Sequence, residues 1–290
     1  MSRSSTLTVG RRWLWPTTFL LPAGIVVGFF FYALSVMLQF SVRPNLGPGL
    51  IGDGLTLDNY AGFLKSPFYL GFLLRSLWIS LYCTIITAIL GYVIAYFMYR
   101  SSPRVRLIAG VILIIQFFTA YVIRTYAVMM VIGKNGVFNR MLLELGMIDL
   151  PLRLLYTEAG VAIGLVLVSL PFMVFPIFNS LQAVPRNLEM AAMSLGAGRL
   201  RTFWRVVFPL TLPGVAAGIV IVYLFELTSY IVPGALGGGY FDMMANLIYA
   251  KAMQSFDHPF AAAAAMVMLA VSLAAVYLLQ KLFRLVTPRQ

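Results

Sequence analysis

The amino-acid sequence predicts an all-α polytopic membrane protein with six spanning helices. Of its 290 residues, 61% are apolar and 10% are charged, whereas soluble domains run near a quarter charged and under half apolar. A globule of this length has too little interior to hide so many apolar side chains. The apolar residues also gather into six runs of the length a bilayer core requires, about 20 residues of helix. They lack the short alternating segments of a membrane barrel.

The first run, 16–42, follows a basic lead of Arg3, Arg11 and Arg12. It is too long for the apolar region of a cleaved signal, and Arg43-Pro44-Asn45 after it is no small-residue cleavage site. It therefore reads as a retained span, with Phe29-Phe30-Phe31-Tyr32 directed at lipid or a neighbouring subunit. The second and third runs are 76–98 and 106–123. Tyr126 to Ile132 is again apolar beyond Arg124, so the third continues outward as a broken helix. The fourth, fifth and sixth are 160–184, 212–233 and 259–283. Segments 43–75 and 124–158, rich in Gly, Pro and Asn, read as long loops. Small residues at Gly214-x3-Gly218, with Ala216 and Ala217, and at Ala261 to Ala265 permit close helix packing.

Charge sets the orientation. Thirteen basic residues fall on one set of alternate segments: Arg3, Arg11, Arg12; Arg100, Arg104, Arg106; Arg186, Arg199, Arg201, Arg205; Lys281, Arg284, Arg289. They meet one acid there, Glu189, while the opposite segments hold eight basic and seven acidic residues. The positive-inside rule makes the first face, and both termini, cytoplasmic. The net charge of +12 thus reflects basic membrane-edge loops rather than a nucleic-acid partner.

Several chemistries lack their residues. Gly133-Lys134 is followed by Asn135 and has no earlier Gly at phosphate-loop spacing, and Gly237-Gly238-Gly239 has no strand before it. The single cysteine, Cys83, lies among apolar residues and reads as packing; the single histidine, His258, reads as a solvated helix cap between Asp257 and Pro259. One intramembrane acid stands out. Glu226 lies 14 residues into the fifth run, roughly 21 Å across a core of about 30 Å. An acid at that depth needs a cavity or a partner. Tyr223, Glu226 and Tyr230 share a face at i, i+3, i+7 spacing, an arrangement suited to a cationic amine through charge pairing and cation–π attraction. A protonated Glu226 bonded to a neighbouring subunit remains the alternative.

The segment 185–211, PRNLEMAAMSLGAGRLRTFWRVVFPLT, is not loop-like. Leu188, Ala191, Ala192 and Leu195 keep helical spacing, Asn187 is a candidate N-cap, Gly196 and Gly198 interrupt, and Arg199 to Phe208 forms a second short helix. An amphipathic helix on anionic lipid would account for its arginines. It would not account for Ala191 and Ala192 beside Gly196, which favour a close protein partner.

These residues resemble the cytoplasmic loop of permease subunits of binding-protein-dependent ABC importers, whose pattern is E-A-A-x3-G-x9-I-x-L-P. Ala191, Ala192, Gly196, Val206, Phe208 and Pro209 fall at the required spacing, while the Glu of the pattern falls on Met190, with Glu189 one place earlier. Met190 cannot close a capping box; Glu189, about 100° around the helix, still favours the helix N-terminus through the dipole. Arg124-Thr125-Tyr126, Gly133-Lys134-Asn135-Gly136, Leu154-Leu155-Tyr156, Leu170-Pro171-Phe172-Met173 and Leu236-Gly237-Gly238-Gly239 are similar to the spermidine/putrescine-type branch. That branch carries a Glu where this chain has Ser229.

The resemblance covers about 70–285 and implies a MetI-like permease architecture: one domain over 1–290, an extra N-terminal helix at about 16–42 and an ATPase-docking element at about 185–211. It implies an ATPase-coupling set of Glu189, Ala191, Ala192, Gly196, Val206, Phe208 and Pro209, and Tyr223, Glu226 and Tyr230 stand beside it as a substrate pathway. It further implies a second homologous permease, two cytoplasmic ATP-binding subunits that carry ATP and Mg, an external solute-binding protein, and location in a bacterial inner membrane. This chain then holds no catalytic site, metal or cofactor of its own and passes a small organic solute, a polyamine or related amine. An opine or amino-acid derivative is the alternative solute, and an ATP-independent carrier is the alternative mechanism.

Overall fold

The structure, a computed structural model, describes residues 11–286, with side chains described for 21–284 apart from Arg186. Arg3 and Arg289 of the charge count lie outside the described residues. The described residues form two compact units, 11–65 with 251–266, and 66–250 with 267–286.

In the first unit, α1 (Arg11–Ser41) is followed by a short antiparallel hairpin, β1 (Asn45–Gly47) and β2 (Leu50–Ile51), and by α2 (Asp58–Lys65). Phe29, Phe30, Phe31 and Tyr32 are all exposed on α1. Asn59 of α2 donates to the carbonyls of Ser41 and Arg43 at 3.0 and 2.8 Å, which ties the end of α1 down. The expected loop 43–75 is therefore largely structured.

The second unit begins with α3 (Pro67–Arg100), 34 residues long. It starts nine residues before the expected 76, because Pro67 stands at a position in the first turn where a missing N–H costs nothing. α4 (Pro103–Phe118) and α5 (Tyr121–Ile132) follow, then α6 (Val137–Glu144) and α7 (Glu158–Ala183). The expected loop 124–158 thus contains helix as well. Thr157 caps α7 by accepting from the Gly160 amide at 3.2 Å. α8 (Arg186–Ser194) and α9 (Arg199–Thr202) lead through a π-helical stretch, Phe203–Val207, into α10 (Phe208–Leu227). The chain ends with α11 (Ile231–Gly237), α12 (Met244–Tyr249), a second π-helical stretch (Ala250–Gln254) and α13 (His258–Val286). Asp257, not His258, caps α13, its carboxylate accepting from the Phe260 amide at 3.2 Å.

Five described helices are long and apolar enough to cross a bilayer, and the pair at the third run, Pro103–Phe118 with Tyr121–Glu144, bent by 109° at its break, makes six when counted as one span. The break falls at Thr119, which is extended, and Ala120, whose ψ of 136° also leaves the helical region. Neither residue breaks helices by itself, so the cause lies elsewhere. Pro171 inside α7 has no N–H, which leaves the Leu167 carbonyl without its intrahelical donor. Gln116, before the break, donates to that carbonyl at 2.6 Å, and Arg124, after it, donates to the Val168 carbonyl at 3.1 Å. Adjacent carbonyls of α7 hold both sides of the bend.

α3, α7 and α10 pack together. A Cβ on Gly91 of α3 or Gly218 of α10 would stand 2.6 or 2.7 Å from the Met173 side chain of α7, and one on Gly214 would meet the Pro176 carbonyl at 2.6 Å. Close backbone approach is what small residues permit in membrane helices. Ala216 and Ala217 instead face an apolar groove of about 590 Å³ between α10 and the end of α13. Cys83 is buried with Ile79, Leu165 and Val168 in a second apolar cluster.

Candidate functional site

Two groups of residues in the second unit carry chemistry. The first is the 185–211 element, on the same side as Arg100, Arg104 and Arg106. α8 starts at Arg186 with Pro185 before it, so Asn187 lies inside the first turn and is not the cap. Proline before the helix decides this by favouring the extended backbone seen at that position.

The end of α8 shows why a glycine is needed. Gly196 has φ +83°, its amide bonds the Met193 carbonyl at 3.0 Å, and the Ala197 amide bonds the Ala192 carbonyl at 3.1 Å. These two bonds make a Schellman motif with Gly196 in the left-handed position. A Cβ there would meet nothing within 4 Å, so the constraint inside this chain is conformational and the space around it is open. Beyond Gly198, α9 and the π-helical stretch run on without a gap into α10; the expected second short helix is the root of the fifth span.

Leu188, Met190, Met193, Leu195, Leu200 and Trp204 are between 42% and 89% exposed. Ala191 and Gly196 lie exposed among them, and Ala192 is half-buried. Val206, Phe208 and Pro209 are half-buried at the root, where Phe208 packs on Tyr92 and Trp204 with ring centroids 5.5 and 5.1 Å apart. An apolar surface flanked by Arg199, Arg201 and Arg205 is the kind that a protein partner covers.

Glu189 does not share that surface. It is 5% exposed and turns back to the last turn of α3. Tyr99 donates its hydroxyl to Oε1 at 3.0 Å, and Arg100 donates Nη2 to Oε2 at 2.7 Å. The Arg100 guanidinium also donates to the Tyr96 hydroxyl at 3.0 Å and lies over the Tyr96 and Tyr99 rings. Arg106 of α4 donates to the carbonyls of Met98 and Tyr99 at 3.1 and 3.0 Å, the placement a cation takes at a helix C-terminus. Between Arg100, Arg106, Glu189, Met190 and Met193 lies a cavity of about 500 Å³. Tyr99 and Arg100 stand about 90 residues before Glu189, and no local pattern announces them.

The second group surrounds Glu226, which is fully buried. Thr84 donates to Oε2 at 2.8 Å, Thr87 to Oε1 at 3.3 Å, and Ser169 lies 2.8 Å from Oε1. The Ser169 hydroxyl is also 2.7 Å from the Leu165 carbonyl, so one proton serves two acceptors. Hydroxyls of α3 and α7 within this chain therefore satisfy the acid. The signal for them was present as polar residues at i, i+3 spacing (Thr84, Thr87) inside an apolar run.

Tyr223, Glu226 and Tyr230 do not form one face. α10 stops at Leu227, because the Ser229 amide turns back to the Glu226 carbonyl at 3.1 Å. Tyr230 precedes α11 and packs against Tyr249 at 4.7 Å. Tyr223 is buried and Tyr230 is 40% exposed. The Ser229 and Tyr121 hydroxyls share a hydrogen bond of 2.7 Å, while Phe225 stands between the Tyr121 and Phe172 rings at 5.4 and 4.8 Å. This aromatic and hydroxyl cluster at the bend of the third span was not expected.

The sequence matches the profile of the binding-protein-dependent transport system inner membrane component family over residues 87–285. The spermidine/putrescine transport system permease protein PotB of Escherichia coli (strain K12) is 38% identical over 208 residues, covering 72% of this chain and 75% of that protein. The protein of the same name from Haemophilus influenzae is 33% identical over 240 residues, 79% and 84% of the two chains. Among solved structures, the fold resembles a chain of a bacterial ABC transporter involved in the import of the acidic polysaccharide alginate. The TM-score is 0.80 at 19% identity, over 97% of this chain and 98% of that one.

Proposed function

As this chain belongs to the binding-protein-dependent transport system inner membrane component family and is an ABC importer permease of the bacterial inner membrane, we propose that it forms half of an ATP-driven pathway for a polyamine or related small amine. It works beside a second homologous permease, two ATP-binding subunits and an external solute-binding protein. The whole chain acts as one permease domain, with the basic face and both termini in the cytoplasm. Catalysis of ATP hydrolysis, with its ATP and Mg, belongs to the partner subunits.

The exposed apolar surface around Gly196 is the observation that carries this reading. Leu195 and Leu200, at 89% and 72% exposure, belong to a contiguous apolar patch of the kind that marks an interaction site, and the arginines beside them keep the element out of the lipid core. An ATP-binding subunit covers it in the assembly. Ala191, Ala192 and Gly196 keep the surface low enough for close contact, Val206, Phe208 and Pro209 join it to the fifth span, and Glu189 acts from behind it.

For the solute, we carry forward Tyr223, Glu226 and Tyr230. The names of the PotB relatives and the chemistry of a carboxylate near tyrosine rings support an ammonium-bearing solute. Glu226 and Tyr223 are enclosed in the present conformation, so the pathway must open before they meet a solute, with Tyr230 nearer the mouth.

Reconstitution into liposomes tests the mechanism. Uptake of spermidine or putrescine is expected only when the companion permease, the ATP-binding subunits, the receptor and ATP are all supplied. Gradient-driven uptake by this chain alone would establish the secondary-carrier alternative instead.

A further inference from the structure

α8 has two covalent routes into the spans, and neither is a continuous α-helix. Towards α7 it passes through Val184 and Pro185, both extended; towards α10 it passes through Gly196–Gly198, α9 and the π-helical stretch. Its side-chain route is short and directed. Both oxygens of the buried Glu189 carboxylate are held by neighbouring residues of one helix, Tyr99 and Arg100 of α3.

We propose that Glu189, Tyr99 and Arg100 form a latch that makes α3 follow the docking element. Movement of the ATP-binding subunits thereby reaches the hydroxyls around Glu226. The inference rests on the docking reading above.

The geometry supports such a role in three ways. Glu189 is the acid of the basic face, yet it is hidden from the surface that a partner would touch. Arg106 clasps the carbonyls at the end of α3, and Tyr92 and Tyr96 pack on Phe203 with centroids 5.8 and 5.1 Å apart. The end of α3 therefore lies against the root of the docking element, and the latch ties it to α8 as well. Finally, α3 runs unbroken from Pro67 to Arg100, and Thr84 and Thr87 lie 12 to 16 residues from the latch, roughly 18–24 Å along a single helix. A helix with a gripped end and a working group along its length is a contiguous physical route between sites. The ion pair adds little as a stabiliser, since half of the Arg100 side chain is exposed and such pairs are screened. Its direction from docking element to spanning helix is its distinguishing property.

The test uses the complete transporter in liposomes and reads solute uptake per ATP hydrolysed. Glu189→Gln and Arg100→Gln are expected to keep the ATP-binding subunits bound and hydrolysis running, while uptake per ATP falls roughly tenfold, within the range of allosteric coupling factors. The double exchange Glu189→Arg with Arg100→Glu recovers most of the loss. Tyr99→Phe and Arg100→Lys, milder changes that keep every charge, lose less in the same direction and decide the matter if the stronger variants do not insert. A second readout is the labelling rate of Cys83 on α3, followed by mass on this chain. ATP should change that rate in the wild type and not in Glu189→Gln.

Unchanged uptake per ATP in the single variants would overturn the latch. So would loss of ATP-binding subunits from those variants, or an exchange variant that inserts but recovers nothing, because Glu189 would then serve the contact or the fold. Failure of the wild-type chain to bind ATP-binding subunits would instead remove the docking reading, and it needs no variant to detect.

Discussion

Gly196 separates a backbone requirement from a contact requirement. Its φ of +83° is a conformation in which a non-glycine residue pays about 1–2 kcal/mol, which shifts the capped end of α8 by a factor of roughly 5–30. Gly196→Ala and Gly196→Trp carry the same backbone strain, and Gly196→Asn carries less because Asn tolerates the left-handed region. Size is a separate matter. Apart from its chain neighbours, no described residue lies within 4 Å of a Cβ at this position, so a larger side chain starts into open space, and all three variants should insert. A docked partner would occupy that space. Loss of fit at the centre of an interface costs at least about 2 kcal/mol, about thirtyfold in affinity. Docking therefore predicts that Gly196→Trp loses co-purifying ATP-binding subunits and transport, while Ala and Asn keep much of both. The assay is pull-down of the ATP-binding subunits together with ATP-driven uptake. Wild-type transport by Gly196→Trp would refute the docking surface. Equal loss in Ala and Trp with recovery in Asn would reduce Gly196 to a helix cap.

Other outcomes follow from the membrane interior. Glu226→Gln keeps one acceptor oxygen and sets an amide N–H beside the other hydroxyl, which can accept from it, so folding should survive while uptake of spermidine falls about tenfold through lost charge attraction, on the scale of a desolvated cation contact; an unchanged uptake rate would remove Glu226 from the pathway. Gln116→Leu leaves the Leu167 carbonyl without its donor and should cost about 1–2 kcal/mol, the worth of an interhelical bond in a membrane, read as a lower unfolding temperature in detergent. Unaltered melting would mean that the bend does not depend on that bond. Gly214→Val drives a side chain against the Pro176 carbonyl and should destabilise by about 1–3 kcal/mol, the cost of overpacking, whereas Ala217→Val, facing the open groove, should be tolerated by the isolated chain. Equal melting of the two variants would refute the packing of α10 on α7.

The helix and glycine break of the 185–211 segment were legible because their pattern is local. Helical spacing over 188–195, two glycines and a run of arginines lie within one segment, and the Schellman end of α8 is what Gly196 at that spacing makes. The partners of Glu189 were not legible. A carboxylate bonds whichever donor the packing brings near, and Tyr99 and Arg100 come from a helix some 90 residues earlier. The shared face of Tyr223, Glu226 and Tyr230 failed for a related reason. Periodicity assumes that a helix continues, and α10 ends at Leu227 without a proline or glycine among Thr228, Ser229 and Tyr230 to announce the stop.

Composition alone determined the solvent and where the apolar runs fall, because the cost of placing apolar or charged groups in water or lipid depends on the residue and hardly on its neighbours. The bend at Thr119 and Ala120, the hydroxyls around Glu226 and the inward turn of Glu189 were decided only by tertiary structure. Each depends on a buried polar group finding its partner on another helix, through bonds that span tens of residues or more in sequence and less than about 3.5 Å in space.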